Sequence, residues 1–151
     1  GVMKKPIFAA IALAFLAPVT ASAHCQIPCG IYDDNNVIKS MHTDFETIEK
    51  ASKTIIELSK DPAENAHQLT RWITNKESHA QAIQDKVLNY FLAQRLKLGE
   101  AANDKESYLT KLQLCHQVIV TAMKCKQSTD PKNVETLHDL LHKFEDQFGT
   151  K

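Results

Sequence analysis

Glycine is nearly absent from this chain. Four occur among 151 residues, and after Gly30 only Gly99 and Gly149 remain. Beyond that point proline is confined to Pro62 and Pro131, each preceded by an aspartate. Scarcity of both breakers removes the turn chemistry on which hairpins and barrels depend and leaves long uninterrupted segments, which suit helices. No alternating strand pattern, internal repeat or low-complexity tract competes with that reading. A surplus of either charge is missing as well, since 18 basic residues balance 18 acidic ones. Nothing therefore points to nucleic acid or to anionic lipid as a partner.

What is present is a series of apolar residues at helical spacing. The first segment runs from about Asn36 to Leu58 and carries Val37, Met41, Phe45, Ile48, Ile55 and Leu58, mostly three, four or seven apart. A second, long segment starts at Asp61-Pro62 and ends near Lys97, with Leu69, Trp72, Ile73, Ala80, Ile83, Val87, Tyr90 and Phe91 on one face. Asp104 is placed to cap a third, which carries Leu109, Leu112, Cys115, Ile119, Ala122 and Met123. Asp130-Pro131 opens a fourth, with Val134, Leu137, Leu141, Phe144 and Phe148. Connections of a few residues favour antiparallel neighbours, so the expected fold is all-α: an up-down four-helix bundle over residues 36–151.

Residues 1–23 have a different composition. Lys4 and Lys5 follow Met3, Ile7 to Ala17 is an unbroken apolar run of eleven residues, and Ala21-Ser22-Ala23 closes the segment. This is the layout of a cleaved secretory signal peptide, and the run is too short to span a bilayer. Cleavage after Ala23 implies export, to the periplasm or the medium, with signal peptidase as a maturation partner and no membrane segment in the mature form. Removing residues 1–23 takes two lysines and no acid from the chain and leaves 128 residues, with 16 basic against 18 acidic. All seven histidines and all four cysteines lie in the mature part.

That cut makes His24 the N-terminus of His24-Cys25-Gln26-Ile27-Pro28-Cys29-Gly30-Ile31-Tyr32. The His24 amine and the Cys25 amide nitrogen can close a five-membered chelate ring on a metal. The same amide nitrogen and the Cys25 sulfur can close a second. Cys29 can complete a planar set of two nitrogens and two sulfurs, with the His24 imidazole in axial reach. Planar nitrogen and sulfur donors suit Ni(II) or Cu(II), whereas structural zinc takes a tetrahedron of side chains. An ionised amide and two thiolates stabilise a higher oxidation state, so such a site is redox-active. The other cysteines give weaker signals. Cys115 and Cys125, ten residues apart in one straight helix, are separated by about 15 Å, beyond the ~7 Å limit of a disulfide. Cys115 sits among apolar residues and reads as buried, whereas Cys125, between Lys124 and Lys126, reads as more exposed.

With His24, Cys25, Pro28, Cys29, Gly30, Tyr32 and Asp33 all in place, the segment resembles the metal hook of the nickel superoxide dismutases. The four helical segments are similar to that family's antiparallel bundle. The resemblance implies a homohexamer with one nickel ion per subunit. It also implies metal ligation by His24, Cys25 and Cys29, and dismutation of superoxide to oxygen and hydrogen peroxide by Ni(II)/Ni(III) cycling. Pro28 would set the turn that returns Cys29 to the metal, and Tyr32 would sit over the open face and order the incoming anion. His24 and Tyr32 are thus the catalytic candidates. In the family a glutamate and an arginine further along the chain orient the axial imidazole, and Ser40 stands where the glutamate is expected. Ring orientation by an acceptor is still required, and His42, Glu77 and His79 are candidates for it.

Two rival readings remain at this level. One is an exported, non-catalytic Ni- or Cu-binding helical protein using the same hook. The other is a helical adaptor with a Cys25–Cys29 disulfide, which leaves the position of His-Cys at the cleavage point unexplained. Lys39 is a candidate for local guidance of an anionic substrate. His67, His116, His138 and His142 read as solvated or interface residues, although His138 and His142 have the i, i+4 spacing of a surface metal pair.

Overall fold

The computed structural model describes residues 30–149, which fold as an all-helical bundle. The expected leader over residues 1–23 and the hook residues His24, Cys25, Pro28 and Cys29 lie outside the described residues. Helix α1 spans Asp34–Leu58 and α2 spans Ala66–Asp85, continuing without a break into a π-helical segment, Lys86–Arg95. A single turn, α3 (Glu100–Asn103), precedes α4 (Lys105–Gln127) and α5 (Pro131–Phe148). No described helix is long and apolar enough to cross a membrane.

Three of the four long helices start at a capping aspartate. Asp33, Asp104 and Asp130 each accept a backbone N–H of the first turn, from Asn36, Ser107 and Lys132 at 3.2, 3.0 and 3.0 Å. Each thereby satisfies one of the orphan donors of a helix N-terminus. Pro131 occupies the first turn of α5, where its missing N–H costs nothing.

Pairing of the four long helices is antiparallel. Along α1, Asp34 meets Arg95 while Asp44 meets His79 and Lys86. From α2 to α4, Gln84 reaches Ile119 and Lys76 reaches Cys125. On the remaining side His42 faces Glu145, and Phe45 stacks on His138. In each pair the partner number falls as the first rises. The core between them is continuous, with Met41, Ile48, Ile83, Val87, Phe91, Val118, Leu137 and Phe144 fully buried. Phe91, Phe144 and Phe148 contact one another at centroid distances of 4.5–5.0 Å.

Several expectations change. The second segment is a turn over residues 61–65 before α2 begins, and its early apolar residues are not core: Ile73 is exposed, and Leu69 and Trp72 are half-buried. Leu109, Leu112 and Met123, expected inside, are exposed on α4. Cys125, expected to be more exposed than Cys115, is as fully buried as it is. Its flanking lysines, Lys124 and Lys126, sit to either side of an inward-facing position. The two thiols stay free, with burial pushing Cys115 up to about 12 and Cys125 up to about 11.

Lys76 accounts for part of that end of the bundle. It is buried, and its ammonium donates to the carbonyls of Cys125, Lys126 (2.8 Å) and Ser128 (3.1 Å). These carbonyls belong to the last turn of α4 and the start of its loop, so one side chain closes the C-terminus of a neighbouring helix. Burial lowers the pKa of Lys76, and the three carbonyls are the compensation for keeping its charge inside. Lys76→Met should leave these acceptors unpaired and destabilise the fold by about 2–3 kcal/mol. Urea denaturation should show this with far-UV circular dichroism of the native state unchanged.

Candidate metal centre

Gly30, Ile31, Tyr32 and Asp33 lead from the hook into α1. Gly30 has φ +78°, a left-handed conformation that side chains rarely adopt. Asp33 caps α1 with both oxygens, since the Asn36 side-chain amide donates to the second at 2.6 Å. Gly30 and Asp33 therefore shape the start of the first helix.

Tyr32 packs against the core at the end of the bundle. Its ring lies edge-on to Tyr90 at 5.7 Å, and the Arg95 guanidinium carbon stands 4.6 Å from its centroid. A cation over a tyrosine face at that range is attractive. Arg95 is held in turn by Asp34, to which Nε donates at 2.9 and 3.0 Å and Nη2 at 2.8 Å. Tyr90 donates its hydroxyl to Asp34 at 2.8 Å and accepts the Asp33 backbone N–H at 2.7 Å. Asp34 is 7 % exposed, so its charge has little water and depends on these donors.

The π-helical segment is what makes this arrangement possible. In an α-helix, positions five apart point about 140° away from each other. Tyr90 and Arg95 are five apart and reach the same carboxylate. The i→i−5 hydrogen bonding of a π-helix, seen where Leu96 N–H donates to the Phe91 carbonyl at 2.8 Å, brings such residues onto one face. A reading based on a 3.6-residue period places Tyr90 in the core and gives no role to Arg95 or Asp34. The one available signal was the charge of Asp34 directly after the capping Asp33.

The candidates for orienting the His24 ring sit elsewhere on the bundle. His79 Nδ1 is 2.7 Å from Asp44, which Lys86 also contacts, about 15 Å along α1 from Asp34. His42 faces α5, Glu77 lies beside Lys76 on α2, and the Ser40 hydroxyl donates to the Val37 carbonyl at 2.7 Å. Lys39 is exposed on α1, and the cation in contact with Tyr32 is Arg95.

Residues 24–29 carry an imidazole and two thiols beside backbone nitrogens, donor types that fit a nickel ion. Neither remaining thiol competes for a metal, because Cys115 and Cys125 are fully buried and kept protonated.

Tyr90 carries a measurable signature of the network. Burial first, and then its hydrogen bond to Asp34, push its pKa from the ordinary 10 up to about 12. A group whose folded pKa is raised contributes stability that is complete below its unfolded pKa and is lost as pH climbs through the folded one. The contribution of Tyr90 should thus be intact below pH 10 and decay between pH 10 and about 12. Tyr90→Phe should remove that alkaline slope from the stability profile. Spectrophotometric titration should show one fewer late-titrating phenol.

The family model described as nickel-containing superoxide dismutase matches residues 19–151. No curated protein and no solved structure matches the chain significantly.

Proposed function

From a chain that belongs to the nickel-containing superoxide dismutase family, and so is an oxidoreductase with nickel as cofactor and superoxide as substrate, we infer that the catalytic ion is held by a hook created on processing. The His24 amine and imidazole, the Cys25 amide nitrogen and the Cys25 and Cys29 thiolates would hold the nickel. Nickel bound there supplies the one-electron Ni(II)/Ni(III) couple by which two superoxide ions and two protons become oxygen and hydrogen peroxide. The observation that carries this reading is the donor set itself, complete only if the chain starts at His24.

The protein's own groups do the rest. Tyr32 follows the hook by three residues and is fixed by its contacts with Arg95 and Tyr90. An anchored Tyr32 can hold the substrate anion or a water through its hydroxyl while the hook in front of it binds metal. Asp34 neutralises Arg95, so the guanidinium positions the ring without becoming a competing anion site. Pro28 would turn the hook, and Gly30 gives the chain a left-handed step ahead of Ile31 and Tyr32. Export through the leader over residues 1–23, to the periplasm or the medium, and removal of that leader by signal peptidase complete the reading. A homohexamer is part of it too; exposed Leu88, Leu109, Leu112 and Met123 are apolar surface of the kind that subunits bury.

Because the free amine is a ligand, one added Ala ahead of His24 should give a folded bundle without tight nickel binding or dismutase activity. Nickel analysis after dialysis and a superoxide decay assay check this, and full activity with residues 1–23 attached would contradict it. Cys25→Ser or Cys29→Ser should likewise abolish activity and the nickel–thiolate absorption. Helical content should not change, since the hook precedes α1.

A further inference from the structure

A cluster of side chains with metal-ligand chemistry lies in the groove between α1 and α5, apart from Tyr32. His42, His142 and Glu145 bring ligand atoms within 4.8 Å of one another. His42 Nε2 is 3.4 Å from Glu145 Oε2, close to the ~3.3 Å edge of a ligand tetrahedron around zinc. His142 turns Nδ1 toward the same carboxylate oxygen at 3.9 Å and Nε2 toward His138 Nε2 at 3.1 Å.

Among the described residues, two buried side-chain polar atoms have no hydrogen-bond partner, His42 Nε2 and Ser52 Oγ. Both residues line this groove, which has a volume of about 730 Å³. A buried imidazole nitrogen aimed at a carboxylate but not bonded to it is satisfied when a cation sits between them. The groove is also rimmed by Glu46, Glu49 and Glu135. Lys53, on the same rim, is paired with Glu49 at 2.8 Å, which leaves the local field favourable to a cation.

His138 completes the arrangement from behind. It stacks on Phe45 at 5.0 Å and meets the His142 ring at 4.5 Å. Two imidazole nitrogens 3.1 Å apart share one proton. With His142 as the donor, its Nδ1 lone pair is left for a metal, the relation by which an outer partner fixes the tautomer of a ligating histidine.

We propose that His42, His142 and Glu145 form a second site for a divalent transition ion, distinct from the nickel hook, with His138 orienting His142 and a fourth position open to the groove. Two imidazoles and a carboxylate are the ligands of a borderline ion such as Zn(II), and the absence of thiolate separates this site from the hook. Occupancy would clamp α1 to α5.

Zinc is the probe, used on the mature chain carrying His24→Ala, Cys25→Ser and Cys29→Ser so that neither the thiolates nor the N-terminal imidazole contributes. Calorimetric titration should give one zinc per chain, with a rise in Tm on saturation. Adding either His42→Ala or His142→Ala should weaken that binding at least tenfold, whereas His67→Ala, an exposed histidine outside the groove, should not change it. His142 is exposed, so its variant keeps the test valid if His42→Ala does not fold, as circular dichroism would report. Absence of saturable zinc binding, or a loss smaller than tenfold in a folded His142→Ala chain, would overturn the proposal.

Discussion

The buried carboxylate of Asp34 is the constraint on which the front of this molecule depends. It stands in the first turn of α1 and receives three hydrogen bonds from Arg95 and one from Tyr90, which lie on the far end of the neighbouring element. A carboxylate with so little water is tolerable only with its donors in place, and removing one partner of such a pair costs far more than the pair contributes. The contact therefore fixes the register between α1 and the π-helical segment. It also fixes the direction in which the chain leaves the bundle, through Asp33, Tyr32 and Gly30.

The same device recurs along the α1–α2 seam. Asp44 is buried one level further down and gathers His79 and Lys86. Lys76 is buried near the other end and gathers the carbonyls that end α4. Between these polar pins the core is apolar and aromatic. Hydrophobic burial drives the helices together, but it is indifferent to small slides of one helix past another. Buried charges that must meet particular partners are not, and they give the bundle one alignment. The π-helical stretch belongs to this scheme, since it turns Tyr90 and Arg95 toward one acceptor while Val87 and Phe91 stay in the core.

Much of the bundle was legible in the sequence because its punctuation is sparse and chemically plain. Asp104 and Asp130-Pro131 announce two helix starts, and the apolar spacing of α1 and α5 matches their buried faces. What the sequence did not reveal depends on three-dimensional context. A change from α- to π-helical winding leaves no composition signal, so the roles of Tyr90 and Arg95 were invisible. Burial of Cys125 between two lysines, and exposure of Leu109 and Leu112, follow from which face of α4 meets its neighbours. The proposed hook rests on sequence alone: its donors are contiguous, and the reading comes from local chelate chemistry and an expected processing site. The His42–His142–Glu145 cluster falls between these cases. The His138–His142 spacing can be read on one helix, but the approach of His42 requires the pairing of the first helix with the last.

The account's central claim is that nickel sits at the processed N-terminus, in front of a Tyr32 ring held by Arg95. Anomalous diffraction at the nickel edge, from crystals of the nickel-loaded mature protein, tests it most directly. The account predicts one strong peak per subunit, bonded to His24, Cys25 and Cys29 and facing Tyr32, with the Tyr32–Arg95 stack intact. A nickel peak bonded to other residues, with the two hook cysteines joined to each other, would contradict it.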